Sequence, residues 1–319
     1  RILRSRGIAW LMIVVSVISA WMACRHFNVS PLPSTRGLIF SISWPDLDDS
    51  CLSSLLNMAG NAAIVFMMWL INRTFNIIRS VSWFFLGFFM IIQMSVPATM
   101  VNFGDGTILC MLMLCVMMLI YSIYMEPWQT KRIFLAFFIL GSGALMQYAY
   151  MAYVPVLLAG CAQMRVLTFR TILAALVGIV TPTWILWGFG IANLGDFDLS
   201  IIMGNFASFS RHDFIVMAST VGVTLIAGLI FGVTNLIKVY SYNARSRALN
   251  GLMALLSMAT GALCIVDFAN LPTYIPLLNC CVAFQTGIFF RINGQRRAYL
   301  PVLILIIVYS MLYSWNISL

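Results

Sequence analysis

Charge is what this sequence has least of. Only 8% of its 319 residues are Asp, Glu, Lys or Arg, where a water-soluble domain carries about a quarter. So few charges cannot coat a chain of this size against water, and its apolar side chains need lipid as their solvent. Acids are the scarcer sign, with nine against 18 Lys and Arg. Several chemical signatures are missing too. There is no phosphate-cradling Gly-rich loop with a Lys, no His-Glu-x-x-His zinc pattern and no Gly-x-Ser-x-Gly nucleophile. No charged residue falls at the centre of a predicted span, which argues against a proton- or sodium-coupled pump. No segment is low-complexity and no strong internal repeat is visible.

What is present is apolar sequence in long runs. Hydrophobic residues make up 62% of the chain. A helix needs about 20 of them, with tolerance to about 17, to cross the hydrocarbon. Eleven spans are predicted, at 7–24, 52–71, 80–97, 107–125, 133–149, 150–164, 171–191, 215–237, 248–266, 273–290 and 299–315. The expected fold class is all-α, a polytopic transmembrane bundle forming a single domain over 1–319. The run 133–164 must hold either two short helices or one long bent one, with Gly141, Gly143 and Pro155 allowing bends.

Charge position decides that point. With the N-terminus placed in the cytoplasm, 15 of the 18 basic residues fall inside and only Arg25, Arg36 and Arg211 fall outside. That is the asymmetry expected of cytoplasmic loops. Merging 133–164 into one crossing would put Arg165 and the basic residues after it outside. The acids were not used in this assignment, and all but Glu126 fall outside. The basic balance therefore reads as orientation and contact with anionic membrane lipids, not as nucleic-acid binding.

The chain starts at Arg1 without a methionine, and a short upstream segment is expected. The first helix, with three arginines before it, is read as a retained anchor in place of a cleaved signal peptide. Trp21 does not suit a lipoprotein cleavage site before Cys24. The eight cysteines form no metal pattern, and those within helices read as small packing residues. Cys24 and Cys51 end the first two helices at the outer face. There they are either a disulfide across the first outer loop or two unpaired thiols.

Candidate chemistry gathers in the outer loops. The loop 25–51 holds His26, Arg36 and the carboxylates Asp46, Asp48 and Asp49. An Asp-x-Asp-Asp array can hold a divalent cation through oxygen ligands, or supply a general base. It can equally be an interfacial turn anchored by Trp44, with Asp48 or Asp49 capping the next helix. Asp105, between two glycines, is expected to cap the helix from Thr107. The segment 193–214 holds Arg211, His212 and Asp213. Arg211 with His212 can take a phosphate through the planar guanidinium fork, or simply be solvated. Asp267 is read as interfacial.

Across 52–190 the pattern resembles a family of uncharacterised integral membrane proteins of Bacteroidota. The stretch Leu70-Ile71-Asn72-Arg73-Thr74-Phe75-Asn76-Ile77-Ile78-Arg79 carries the resemblance. So does the later order of basic turn, glycine-containing short helix, Pro155, basic turn and Thr181-Pro182. It implies a bacterial inner membrane and no agreed activity. The chain also resembles, more distantly, the type C glycosyltransferases, which use polyprenyl-phosphate-linked sugars. Their acidic first outer loop and central pair of short helices correspond here to Asp46, Asp48 and Asp49 and to 133–164. The loop is about half the length usual in that family, and no soluble acceptor-binding domain follows.

The leading expectation is an envelope protein of the inner membrane with a glycosyltransferase-like scaffold, acting on polyprenyl-phosphate-linked glycans at the periplasmic face. Asp46, Asp48 and Asp49 would be catalytic, with Arg36, Arg211 and His212 on phosphate and a divalent cation as the one cofactor considered. The alternative is a non-catalytic subunit or scaffold, partnered by other inner-membrane proteins. Transport of lipid or solute ranks third, because every basic residue lies near a span end. A continuous polar path through the middle of the bundle would move transport to first place.

Overall fold

The structure is a computed structural model that describes residues 6–26, 35–36, 41–42, 50–78, 83–191, 211–239 and 243–318. The described chain is helical apart from turns and a short antiparallel ladder. In that ladder β1 (Thr35–Arg36) pairs with β2 (Ser41–Ile42). The helices are α1 (Arg6–His26), α2 (Ser50–Phe75), α3 (Phe84–Met94), α4 (Pro97–Val101), α5 (Asp105–Ser122) and α6 (Thr130–Met146). They continue with α7 (Tyr153–Gln163), α8 (Phe169–Gly188), α9 (Arg211–Val239), α10 (Ala244–Val266) and α11 (Leu271–Ser318).

Among the described residues, eight helical segments are long and apolar enough to cross a membrane. They match eight of the eleven predicted spans. The other three predicted spans are helical but shorter. The span 80–97 is α3 broken from α4 at Val96, where Pro97 starts a new helix, as its fixed φ favours. The spans 133–149 and 150–164 are α6 and α7, of 17 and 11 residues.

The chain divides into two compact units. One comprises Arg1–Leu32, Leu47–Cys110 and Phe209–Leu319; the other comprises Pro33–Asp46 and Met111–Ser208. In the first unit, contacts fix the direction of each helix. The Arg6 guanidinium lies 5.7 Å over the Trp83 ring, and Gly87 sits against Ala9 and Met12, so α1 and α3 start at the same end. Asn57 near the start of α2 bonds the carbonyls of Thr99 and Met100, so α2 runs the other way. Thr224 and Asn235 of α9 meet Tyr309 and the Gln285 carbonyl. Leu225 meets Gly261 of α10.

Helix α11 is helical throughout, yet its halves run in opposite directions along α3. Asn279 meets Gln93 and Phe290 meets Phe84, whereas Tyr309 meets Phe88 and Asn316 meets Ser95. A straight helix of 48 residues would be about 72 Å long and could not return. The two halves correspond to the separate spans predicted at 273–290 and 299–315. Their environments differ. The span Phe268–Asn293 is 89% buried and Ala298–Ile317 only 17%, so the first half is the core helix of the unit and the second faces outward.

These directions gather Arg6, Arg73, Lys238, Arg245, Arg247 and Arg291 at one end of the unit and Asp105, Asp267 and Arg25 at the other. That is the relative sidedness the charge pattern required.

The second unit is built on a crossing of α6 with α8. A Cβ at Gly141 would lie 2.8 Å from the Ile179 carbonyl oxygen, and one at Gly178 would lie 2.7 Å from that of Phe134. Only glycine lets the two backbones come so close, the small-residue packing used between helices in lipid. Pro182, inside α8, has no N–H for the Gly178 carbonyl four residues back. Thr168 and Thr171 close a reciprocal capping box at the start of α8, satisfying donors the helix leaves open. Gly141 and Gly143 were expected to permit bends. Instead α6 runs unbroken, and Gly143 makes room for the Tyr150 ring.

The chain leaves Met125 and comes back to it, since the Met125 N–H donates to the Met164 carbonyl at 3.2 Å. Helices α6 and α7 therefore run out and return, which is the two-helix arrangement of 133–164. Met125 and Arg165 both adopt left-handed backbone, φ 60° and 59°, an uncommon state for such residues.

Candidate functional site

Asp46, Asp48 and Asp49 lie outside the described residues, as do the side chains of Arg36, Arg211, His212 and Asp213 and most of 193–214. Arg211 and His212 were expected in a loop, but their backbone forms the first turn of α9. Asp105 is the first residue of α5, not a residue before it, and it is buried. A carboxylate there complements the helix dipole. Asp267 is half-buried and accepts from Asn270 at 3.0 Å and from the Tyr274 hydroxyl at 2.8 Å, joining the end of α10 to the start of α11. Cys24 is a free thiol, and the side chain of Cys51 lies outside the described residues. The cysteines buried in helices are packing residues, as expected. Among the described residues, no three His, Cys, Asp or Glu side chains converge as a metal ion would need.

What the structure does assemble is a seam of buried amides inside the first unit. Asn57 accepts from the Thr107 hydroxyl at 2.8 Å and donates to the carbonyls of Thr99 and Met100 at 2.9 and 2.7 Å. Gln93 reaches the Thr99 carbonyl and accepts from Asn279 at 2.8 Å. Asn316 donates to the Ser95 carbonyl at 2.5 Å and reaches Thr220, and Tyr309 donates to Thr224 at 3.0 Å. Nearer the basic end, Asn235 donates to the Gln285 carbonyl at 2.8 Å. Gly228 and Gly232 lie against the Gln285 amide. Val282, Phe284 and Phe85 are buried beside the seam, with the two phenylalanine rings 5.1 Å apart.

Several of these amides are satisfied on one side only. The side-chain oxygens of Asn61, Asn235, Gln285 and Asn316 are buried without a hydrogen-bond partner, and Asn250 lacks one on both its nitrogen and its oxygen. For Asn61, Asn235 and Asn316 the bonded partner is a backbone carbonyl. Turning the amide over would only strand a different acceptor. A buried polar atom without a partner costs about 1–3 kcal/mol. An amide used only to join helices gains nothing from that cost.

Asn250 opens onto a cleft in this unit. It lies at the basic end and is lined by Asn76, Ser246, Asn250 and Arg291 among apolar side chains. The Arg291 guanidinium donates to the Ile77 carbonyl at 2.6 Å. Asn72 holds the neighbouring turn by accepting from the Ile78 N–H at 2.7 Å. Asn76 ends α2 in left-handed backbone, φ 52°, with its N–H on the Asn72 carbonyl, a helix stop that Asn tolerates.

No family model, no curated protein and no solved structure matches the chain.

Sequence reasoning looked for charge at mid-span and so passed over the uncharged amides. The signal was there. Asn57 and Asn61 are four residues apart on one helix face. Gln93, Asn235, Asn279 and Gln285 each interrupt an apolar run. In lipid an amide inside a span needs a reason, just as a charge does.

Proposed function

We propose that this is a bacterial inner-membrane protein of the envelope that handles a hydroxyl-rich, polyprenyl-phosphate-linked glycan, passing the glycan headgroup between the membrane faces. The observation that carries this is the set of buried amide oxygens left without donors in the first unit. Acceptors without donors suit a substrate rich in hydroxyls. The reading has the chain cross eleven times, with the N-terminus and the basic end in the cytoplasm. The helices are packed closely around the amides, so passage needs them to part. The test is reconstitution of the full chain in liposomes with a fluorescent polyprenyl-phosphate-linked sugar. Protein-dependent exposure of the sugar on the far side is expected, lost when Asn61 and Gln285 are both changed to Leu. Movement no faster than in protein-free liposomes would sink this reading. Orientation is checked by cysteine labelling, which should reach position 36 from outside and positions 73, 131, 245 and 296 from inside. Finding position 170 on the side of position 36 would overturn the topology.

A second reading is sugar transfer from the same class of donor at the outer face. It is favoured by the out-and-back pair α6 and α7, the feature that resembles type C glycosyltransferases. Asp46, Asp48 or Asp49 would then be the base or would hold a divalent cation, with Arg36, Arg211 and His212 on the phosphate. Asp→Asn at each of the three aspartates should abolish glycan transfer without loss of expression. If transfer persists in all three, this reading ends. Co-purification of one defined partner at fixed stoichiometry, with neither movement nor transfer, would leave the scaffold alternative.

A further inference from the structure

We infer that the cleft at the basic end of the first unit binds the headgroup of a phosphate ester bearing a hydroxyl group. The argument begins on α10. Ser246, Leu249 and Asn250 line the cleft, and their spacing of three and four residues places them on one helix face. Ser246 sits in the first turn of a 23-residue helix whose N-cap residue Asn243 makes no side-chain cap. The open N–H groups and dipole of such a terminus favour an anion. Arg291 stands across the cleft from this turn, on α11. Its guanidinium is held by the Ile77 carbonyl, and among the described residues no carboxylate lines the cleft. Arg245 and Arg247 belong to the same end of α10, adding positive potential.

The second observation is Asn250. It is 4% exposed, yet neither its amide nitrogen nor its oxygen has a partner. A buried amide with both ends unpaired is a strong demand for a ligand that supplies an acceptor and a donor together. A phosphate oxygen accepts from the Asn250 amide and pairs with Arg291, and an adjacent hydroxyl donates to the Asn250 oxygen. Phe75, Ile77, Leu249, Ile288 and Ile292 form apolar walls suited to the first carbons beyond the headgroup. The chemistry fits a glycerophosphate, either as an anionic phospholipid headgroup or as a free phosphoester. This site does not depend on the glycan-passage reading, since its ligand need not move.

The experiment uses the full chain purified in a neutral detergent. Binding of short-chain phosphatidylglycerol is measured against short-chain phosphatidylcholine, with glycerol phosphate and inorganic phosphate as soluble competitors. Saturable binding of phosphatidylglycerol is expected, weakened about tenfold (about 1.4 kcal/mol) in Asn250→Leu and in Arg291→Gln, and unchanged in Lys131→Gln. Asn250→Leu removes only unpaired polar atoms, so it should fold and melt no lower than the parent does, which keeps the test informative if Arg291→Gln does not fold. Competition by glycerol phosphate at concentrations similar to the lipid would assign the site to the free phosphoester; failure to compete would assign it to the lipid. Equal binding of the two lipids, or undiminished binding in Asn250→Leu, would overturn the proposal. Liposome movement of the glycan is scored separately, so loss of one activity leaves the other standing.

Discussion

The two units hold their helices together by different means. In the second, α6 and α8 cross where Gly141 and Gly178 bring backbones together, and the force is van der Waals contact over a close approach. In the first, amides and hydroxyls reach between helices, as Asn57 does to Thr107 and Asn279 to Gln93. Lipid tails are as apolar as leucine, so burying leucine gives no drive to associate. Close packing and polar bonds are the two remaining sources of cohesion. The first unit adds polar bonds to close approaches such as Gly87 on Ala9, while the α6–α8 crossing rests on close approach. Polar cohesion in the first unit comes with stranded acceptors, and those are where function is sought.

The sharpest way to break the comparison is at Gly178. In Gly178→Leu the new Cβ would meet the Phe134 carbonyl oxygen at 2.7 Å, and backbone cannot yield as a side chain can. A loss of about 3 kcal/mol is expected, read by denaturant titration in micelles. Gly188→Leu, with nothing within 4 Å, should stay within about 0.5 kcal/mol of the parent. If both variants melt alike, the crossing does not hold the second unit together.

Next comes Asn57→Leu. It strands the Met100 carbonyl and the Thr107 hydroxyl and leaves the Thr99 carbonyl only Gln93 at 3.4 Å, and about 2 kcal/mol should be lost. No change in the same titration would mean that the amide seam contributes nothing to cohesion.

A smaller effect is expected at Asn316→Leu. The bond to Ser95 goes, but so does a buried oxygen without a partner. The two changes offset each other, leaving a loss below the roughly 0.6 kcal/mol typical of one polar bond between helices in lipid. A loss as large as that of Asn57→Leu would show that the Asn316 oxygen is satisfied in the working protein. The one gain in the series belongs to Asn250→Leu, which removes two unpaired buried polar atoms and no bond, so stability should rise by about 1 kcal/mol or more. Marked destabilisation there would mean that the amide is bonded within the protein and is not waiting for a ligand.

The sequence by itself determined that the chain is helical and suited to lipid, because charge is too sparse for water and the apolar runs have the length of spans. It also located the helices. Even the two halves of α11 were separable, since Arg291, Arg296 and Arg297 interrupt the apolar run between them. The pairing of α6 with α7 was legible from the count of basic residues. The candidate site was not legible. Asn250, Arg291 and Asn76 are 41 to 215 residues apart, and spacing along one helix cannot report what another helix brings opposite. The same holds for glycine, since Gly141 reads as a bend, and Gly178 as nothing in particular, until the partner backbone is seen beside them. Hydrophobic patterning is local and one-dimensional, so the sequence carries it openly. Whether a buried amide finds a partner depends on the helix across from it, and only the tertiary structure decides that.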